Sequence, residues 1–157
     1  MYSIGDKIVY PMHGAGIIDR IEEKTILGED RQYYVLRVSS NDMKVMIPVD
    51  KCDEIGIRNI IGESDVEGVM EVLAGPSTEM SDNWNRRNRE NMEHLRTGDI
   101  KEVAGVVRNL LRVERTKPLS TGEKKMLTNA RQILTSELVL VLGRAESDVQ
   151  KMIEQAV

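Results

Sequence analysis

The chain has 157 residues, the length of one domain or of two small ones. Hydrophobic residues make up 40% of it and aromatic residues only 3%, with no phenylalanine, so the sequence predicts an aliphatic core. No apolar run approaches the roughly 18 to 20 residues that cross a bilayer, and residues 1–11 lack the features of a secretory signal. The one cysteine, Cys52, excludes an internal disulfide. These features predict a cytoplasmic protein without a membrane partner.

The net charge of −4 conceals an uneven distribution of charged residues. Residues 1–83 contain 8 Lys/Arg against 16 Asp/Glu, residues 84–131 contain 12 against 6, and residues 132–157 contain 2 against 4. An acidic protein with one basic segment is not suited to binding polyanions over its whole surface. If nucleic acid is a partner, the charge pattern places the contact in the basic segment.

Residues 1–50 have the pattern of short strands separated by tight turns. Apolar or alternating runs predict four strands, at residues 7–10, 16–26, 32–38 and 43–49. Pro11 should end the first strand, and residues 27–30 predict a hairpin connection. Residues 55–61 are either a last short strand or a linker. Four short strands within about fifty residues predict a small, strongly curled sheet or an open barrel.

From Ser64 the apolar period changes to 3.6 residues, which predicts helices. They are expected at about residues 64–74, 82–97, 99–115, 120–142 and 146–156. Capping-box spacing marks three of the starts, because Ser64, Asp99 and Ser120 are each followed by a glutamate three residues later. The predicted fold class is therefore α+β, with a β module over residues 1–60 and an all-helical domain of about five helices over residues 61–157.

The helix predicted at 82–97 contains the only tryptophan of the chain, Trp84. Ser81 or Asp82 is expected to cap its start, which places Trp84 in the first turn. Arg87 then follows on nearly the same face as Trp84, with Arg86 and Arg89 beside it.

Two interpretations of this helix are open. A lone tryptophan near a helix start usually packs into the adjacent core, and arginines alone usually form a solvated face. Together they favour nucleic acid, because aromatic wedges and phosphate-binding cations are used together at deformed or partly opened DNA. Lys124 and Lys125, in the first turn of the 120–142 helix, are expected to extend the same surface.

The sequence contains no recognisable arrangement of catalytic or metal-binding residues. His13 and His94 lie in different modules, and neither has a second type of ligand at metal-binding spacing. There is no P-loop, no G-x-G-x-x-G motif and no G-x-S-x-G motif. Cys52 is interpreted as a core residue and His13 as a turn residue. The sequence thus predicts a binding protein without metal or cofactor, and not an enzyme.

Residues 5–16, Gly-Asp-Lys-Ile-Val-Tyr-Pro-Met-His-Gly-Ala-Gly, resemble the opening signature of the CarD/CdnL family of bacterial RNA polymerase-binding transcription regulators. The same module occurs in the transcription-repair coupling factor. The family's helical half is resembled by Trp-Asn-Arg-Arg at 84–87 and by residues 119–127 and 130–134. The resemblance covers essentially the whole chain, and its helical half distinguishes the protein from a fragment of the coupling factor.

The resemblance implies a Tudor-like (SH3-like) N-terminal module and a helical domain that contacts promoter DNA. Trp84 would be a wedge in the minor groove at the upstream edge of the −10 element, where it would support the open complex. Arg86, Arg87 and Arg89 would contact the DNA backbone. Free in solution, the protein would be a monomer that binds DNA weakly and without sequence preference.

The resemblance also implies that the N-terminal module docks on the RNA polymerase β subunit. By this resemblance, the residues on the docking strands would be Lys24, Thr25, Ile26 and Met46. Met46 and Lys24 stand where relatives often carry arginine, so apolar contact and backbone pairing along an exposed edge are expected to dominate this interface.

An alternative function is a protein-interaction adaptor, in which the helical domain binds another protein and Trp84 is an interface anchor. Dependence on salt distinguishes the two functions, because phosphate contacts make DNA binding fall steeply as salt rises.

Overall fold

The computed structural model describes residues 1–157 as a sheet module followed by a helical domain, which confirms the predicted α+β class. In chain order the elements are β1 (Lys7–Tyr10), β2 (Gly14–Ile26), β3 (Glu29–Val38), β4 (Lys44–Pro48), α1 (Cys52–Ile55), β5 (Arg58–Asn59), α2 (Val66–Ala74), α3 (Trp84–Arg96), α4 (Ile100–Thr116), α5 (Thr121–Leu142) and α6 (Glu146–Ala156). Short 3-10 turns precede α1 and α2. None of the helices combines the length and the apolar character that a membrane span requires.

The five strands form one antiparallel sheet in the order β4-β3-β2-β1-β5. One face of the sheet encloses a small core that includes Ile8, Ile18 and Leu36. The β2–β3 turn is Leu27-Gly28 alone, which is shorter than the predicted four residues. Leu27 and Gly28 have φ values of 54° and 79°, and positive φ at both positions is what a two-residue hairpin turn of this type requires. Strand β5 pairs with β1, so residues 55–61 contain the predicted last strand.

The helical domain has a core of its own, made of 20 buried residues. The apolar sides of α4 and α5 lie inside it, with Val107, Leu110 and Leu134 fully buried. The five long helices begin and end within two residues of their predicted bounds. Asp99 and Ser120 cap α4 and α5 as expected, because their side chains accept from backbone N–H groups of the first turns.

The predicted cap at Ser64 is wrong. Ser64 lies inside the 3-10 turn Glu63–Asp65, and α2 starts only at Val66, without a side-chain cap. Asp65 instead accepts a hydrogen bond from the Gly62 backbone N–H at 3.2 Å, which stabilises the 3-10 turn.

The two parts of the fold meet where α5 packs against β2. Ala15 donates its backbone N–H to Ser136 Oγ at 2.8 Å, and Ser39 Oγ donates to the Ser136 carbonyl at 2.8 Å. Gly14 permits this approach, because a Cβ at its position would lie 2.7 Å from Ser136 Oγ and its φ is 111°. Gly14 thus makes room for α5.

A buried ion pair completes this contact. Glu137 of α5 is 3% exposed and accepts two hydrogen bonds from Arg58 of β5, at 2.7 and 2.8 Å. It also accepts from the Ile61 backbone N–H at 2.9 Å. Arg58 donates in addition to the carbonyl of Gly98, which lies between α3 and α4. The joint is the name used here for these contacts, which join Ala15 and Ser39 to Ser136, and Arg58 to Glu137 and Gly98. It fixes the β2–β3 hairpin relative to α3.

Cys52 belongs to the small core of the sheet module, as the sequence interpretation expects. Its side chain is 8% exposed, and its Sγ lies 3.8 Å from the Pro48 carbonyl oxygen. Burial raises the pKa of the Cys52 thiol, and the nearby Asp53 carboxylate adds to the rise.

Cys52 should therefore react slowly with thiol reagents. At pH 8 we expect the native protein to react with DTNB at least about 100-fold more slowly than the protein in urea, because reaction requires an accessible thiolate. The absorbance of the released thionitrobenzoate measures both rates. Similar rates in the two states would contradict the packing of Cys52 in the core.

Candidate nucleic-acid interface

Helix α3 begins two residues later than the sequence predicts. Asn83, and not Ser81 or Asp82, is its cap, and the Asn83 side chain accepts from the Arg86 backbone N–H at 3.0 Å. Ser81 accepts in turn from the Asn83 backbone N–H at 3.1 Å. This arrangement makes Trp84 the first residue of the helix, where its side chain projects from the tip.

The Trp84 ring lies outside both hydrophobic cores and is 49% exposed. Its Nε1 donates to Ser120 Oγ at 3.3 Å. The ring also contacts Gly122, since a Cβ placed there would lie 3.3 Å from ring atom Cζ2. One part of the indole therefore rests on the start of α5, and the other part faces solvent.

Arg87 lies on the side of α3 that faces the protein and not on its solvent face. It forms an ion pair with Glu123 of α5, and the two side chains are 17% and 7% exposed. Glu123 Oε1 also lies 3.4 Å from Ser120 Oγ, the atom that accepts from Trp84. Trp84, Arg87, Ser120 and Glu123 thus form one connected set, here called the Trp84 network.

Arg86 and Arg89 face solvent, whereas Arg87 faces α5, so the three arginines do not form one exposed surface. Arg86 pairs with Glu90 at 2.8 Å and stays 65% exposed, while Arg89 is exposed and forms no ion pair. The reason is helical geometry: Arg87, Asn91 and Leu95 are spaced by four residues and share the buried side of α3.

Part of the basic surplus of residues 84–131 is structural. Arg108 is 6% exposed and donates to the Val72 carbonyl at 2.9 Å, without a carboxylate partner. Burial lowers the pKa of Arg108, and neighbouring Arg112 lowers it further. Arg108, Asn109 and Arg112 hydrogen-bond Ser77 and Thr78, which anchors the segment that leads to α3.

Lys124 and Lys125 are exposed in the first turn of α5, close in sequence to Ser120, and neither forms an ion pair. They border a shallow groove along α5 with an entirely polar lining, made of Thr121, Lys124, Lys125, Thr128, Asn129 and Gln132. Ammonium, hydroxyl and amide groups of this kind are typical donors to phosphate oxygens.

The four predicted polymerase-docking residues lie on the β2–β3 hairpin and on β4. Strands β1 and β4 pair only with the inner ends of the hairpin, so residues 20–32 form a two-stranded ribbon, here called the arm. Directly paired residues share a face of a sheet. Lys24, Ile26 and Met46 therefore lie on one face, whereas Thr25 lies on the other.

Two pairs characterise the face with Lys24. Lys24 lies directly opposite Arg31, which pairs with Glu29 of the same face at 3.3 Å, so Lys24 is the cation without an ion-pair partner there. Tyr33, which is half-buried, lies two positions from Arg31 on the same face, between Arg31 and the Val35–Met46 pair. Ile26 at 47% and Leu27 at 99% exposure add apolar surface at the tip. The arm thus presents exposed apolar groups together with one unpaired lysine.

Comparison with known proteins assigns both parts of the chain. Residues 2–61 match the family described as CarD-like/TRCF RID domain, and residues 68–154 match the family described as CarD, C-terminal domain. The chain belongs to the CarD-like family. This CarD-like chain is also 43% identical over 150 residues to the Bacillus subtilis (strain 168) protein named "Putative transcription factor YdeB". The match covers 96% of this chain and 98% of that protein.

Family membership confirms the predicted resemblance and supports a role in transcription regulation. The CarD-like family is non-enzymatic, which confirms that this protein is not an enzyme. The RID assignment of residues 2–61 supports an interaction with RNA polymerase.

Several residues around this CarD-like site escaped sequence reasoning. Ser120 and Glu123 are recognisable as a capping box, but their contact with α3 joins residues 36 positions apart and leaves no local signal. Thr121 and Gln132, by contrast, follow helical spacing with Lys125 and Thr128. That polar stripe on α5 was available in the sequence.

Proposed function

We propose that this CarD-like protein docks on the β subunit of RNA polymerase and stabilises the promoter open complex by inserting Trp84 at the upstream edge of the −10 element. The observation that carries the proposal is the half-exposed Trp84 ring, which projects from the tip of α3. Exposed cations lie on α3 and on the adjoining turn of α5. Residues 1–60 would be the polymerase-interacting unit and residues 61–157 the DNA-contacting unit.

Insertion of Trp84 would act on an equilibrium and would involve no chemical step. Opening a promoter unstacks bases, which costs a few kcal/mol per step, and an inserted ring offsets part of that cost. The ring gains this contact only where the DNA is distorted. The protein would therefore bind the open complex more tightly than the closed one and shift the population towards it.

The phosphate contacts fall to the exposed cations. Arg86, Arg89, Lys124 and Lys125 are free to approach the DNA backbone, and the polar groove of α5 offers further donors. Arg87 is neutralised by Glu123, so we assign it to holding α3 on α5. Since phosphate contacts carry no base information, the free protein would bind DNA weakly and without sequence preference.

The arm is the proposed docking element. Its two strands have unpaired outer edges, to which a strand of the β subunit can add by backbone pairing. Lys24 forms no ion pair within the chain, whereas Arg31 opposite it pairs with Glu29, so Lys24 is the cation free to meet a carboxylate of the partner. Ile26, Tyr33 and Met46 would supply the apolar contact. The protein would act as a monomer within the cytoplasmic transcription complex, without a cofactor.

Replacing Trp84 by alanine tests the wedge. We expect the wild-type protein to lengthen the lifetime of a promoter open complex. With Trp84→Ala this gain should be about 5- to 10-fold smaller, because no ring then offsets the cost of unstacking the bases. Filter binding after a competitor challenge measures the lifetime. Circular dichroism should show an unchanged fold, because the ring is half-exposed and outside the cores.

Two outcomes would contradict the wedge. If Trp84→Ala unfolds the helical domain, the ring is a structural residue. If wild-type protein binds polymerase without changing the open-complex lifetime, the adaptor function is favoured, and the neutralised Arg87 beside Trp84 is the observation that fits it. In that case binding to the helical domain should show little of the steep salt dependence of phosphate contacts.

A further inference from the structure

The first turn of α3 has few contacts with the rest of the protein. The first buried residue of the helix is Asn91, almost two turns after Trp84. Within the first turn, only two side chains hydrogen-bond another element, namely Trp84 with Ser120 and Arg87 with Glu123. The orientation of the exposed ring therefore depends on these contacts and on the surface of Gly122.

Ser120 Oγ has two functions in the structure. It caps α5 by accepting from the Glu123 backbone N–H at 3.2 Å, and it accepts from the Trp84 indole N–H at 3.3 Å. Glu123 likewise combines two contacts, because its backbone N–H donates to Ser120 Oγ and its carboxylate forms the ion pair with Arg87. Capping needs only the contacts within α5. The contacts with α3 are an additional property of the same two side chains.

We propose that Ser120 and Glu123 are positioning residues for Trp84, which hold the indole in the orientation that enters DNA. This inference rests on the proposed wedge function. A ring that is already ordered in the free protein loses less side-chain entropy on insertion than a freely rotating one. The network also keeps the Glu123 carboxylate paired with Arg87, so that it does not repel the phosphates approached by Lys124 and Lys125.

Variants at Ser120 separate positioning from capping. Ser120→Gly removes the acceptor for Trp84 but keeps a residue that caps helices nearly as well as serine, whereas Ser120→Thr keeps both functions. Glu123→Gln is a second variant, because glutamine also suits the capping box but cannot neutralise Arg87. All three are made in the full chain, and thermal unfolding verifies that each is folded.

Trp84 is the only tryptophan, so its fluorescence reports the ring directly and without DNA. Side-chain rotation takes place on the sub-nanosecond time scale. In Ser120→Gly and Glu123→Gln we therefore expect the amplitude of the sub-nanosecond component of the anisotropy decay to rise about twofold. The gain in open-complex lifetime should fall by about two- to tenfold, the range expected when one more side chain must be ordered on binding. Ser120→Thr should restore both values, and polymerase binding should stay unchanged.

Three results would overturn the inference. An unchanged anisotropy decay in Ser120→Gly and Glu123→Gln would show that the two residues do not hold the ring, whatever the fate of the wedge. A mobile ring with an undiminished open-complex lifetime, in a system where Trp84→Ala shortens that lifetime, would show that orientation is irrelevant to the function. If Trp84→Ala itself has no effect, the wedge fails and the inference fails with it, although the anisotropy still measures the network.

Discussion

Replacing Arg58 by methionine should destabilise the protein by about 3 kcal/mol, the lower end of the range for breaking a buried ion pair by removing one partner. Glu137 is 3% exposed and would lose both hydrogen bonds from Arg58, while Gly98 would lose its donors. The low end applies because the Arg58 side chain is 30% exposed, so water can reach part of the site. For a chain of this length, the midpoint of thermal unfolding should fall by about 6 to 12 °C.

Arg20→Met is the matched control. Arg20 also lies in the sheet module and pairs with carboxylates, Asp19 and Glu22, but its side chain is 46% exposed. Exposed pairs contribute little to stability because water screens them, so this variant should unfold close to the wild-type midpoint. Adding Glu137→Gln to Arg58→Met should recover part of the loss, since the amide removes the buried charge and still accepts from Ile61 N–H.

Calorimetry and hydrogen exchange together test the joint. If the ion pair holds it closed, the Ala15 amide, which donates to Ser136 Oγ, should exchange faster in Arg58→Met than in the control. Equal midpoints for Arg58→Met and Arg20→Met would show that the Arg58–Glu137 pair contributes little, and that the Ser136 contacts and apolar packing suffice.

Changing Lys24 and Ile26 together to glutamate should reduce polymerase binding by at least about 100-fold. The substitutions place two carboxylates where the proposed interface has a cation and a buried apolar contact, and leaving a charge unpaired in an interface costs about 2 to 5 kcal/mol. The arm is exposed, so the fold of both modules should be retained. Surface plasmon resonance on immobilised core polymerase measures the affinity.

Ile21→Glu is the control for the docking face. Ile21 is on the same strand and 43% exposed, against 47% for Ile26, but it lies on the opposite face of the arm, with Thr25. The proposal predicts that Ile21→Glu binds nearly as well as the wild type. Retained binding by the double variant together with loss in Ile21→Glu would move the docking surface to the face of Thr25.

The fold follows from periodicity and turn chemistry because these are local properties. Alternation and tight turns predict the strands, and the 3.6-residue period places the five long helices within two residues of their bounds. Where several neighbouring residues are equally good helix caps, the sequence pattern does not select one of them. Ser81, Asp82 and Asn83 are all good caps, and the structure uses Asn83, which leaves Trp84 at the tip beside Ser120.

The candidate site is only partly predictable, because its geometry is tertiary. Trp84 in the first turn of α3 follows from the sequence, but the role of Arg87 depends on Glu123, which is 36 positions away. The spacing of Arg87, Asn91 and Leu95 was a usable hint, since a buried leucine eight residues on marks the same helical side. The joint gives no comparable hint, because Arg58 and Glu137 are 79 positions apart.

The joint also has a consequence for synthesis of the chain on the ribosome. Ala15 and Ser136 are separated by 121 positions, and Arg58 meets Glu137 only after most of the helical domain has been made. At about 5 to 20 residues per second, the sheet module would wait roughly 4 to 15 seconds for α5. The nascent module must therefore persist on its own small core, with the Gly14–Ala15 backbone still in water. Closure of the joint therefore comes late in synthesis, and only the packing of α6 against α2 and α5 can follow it.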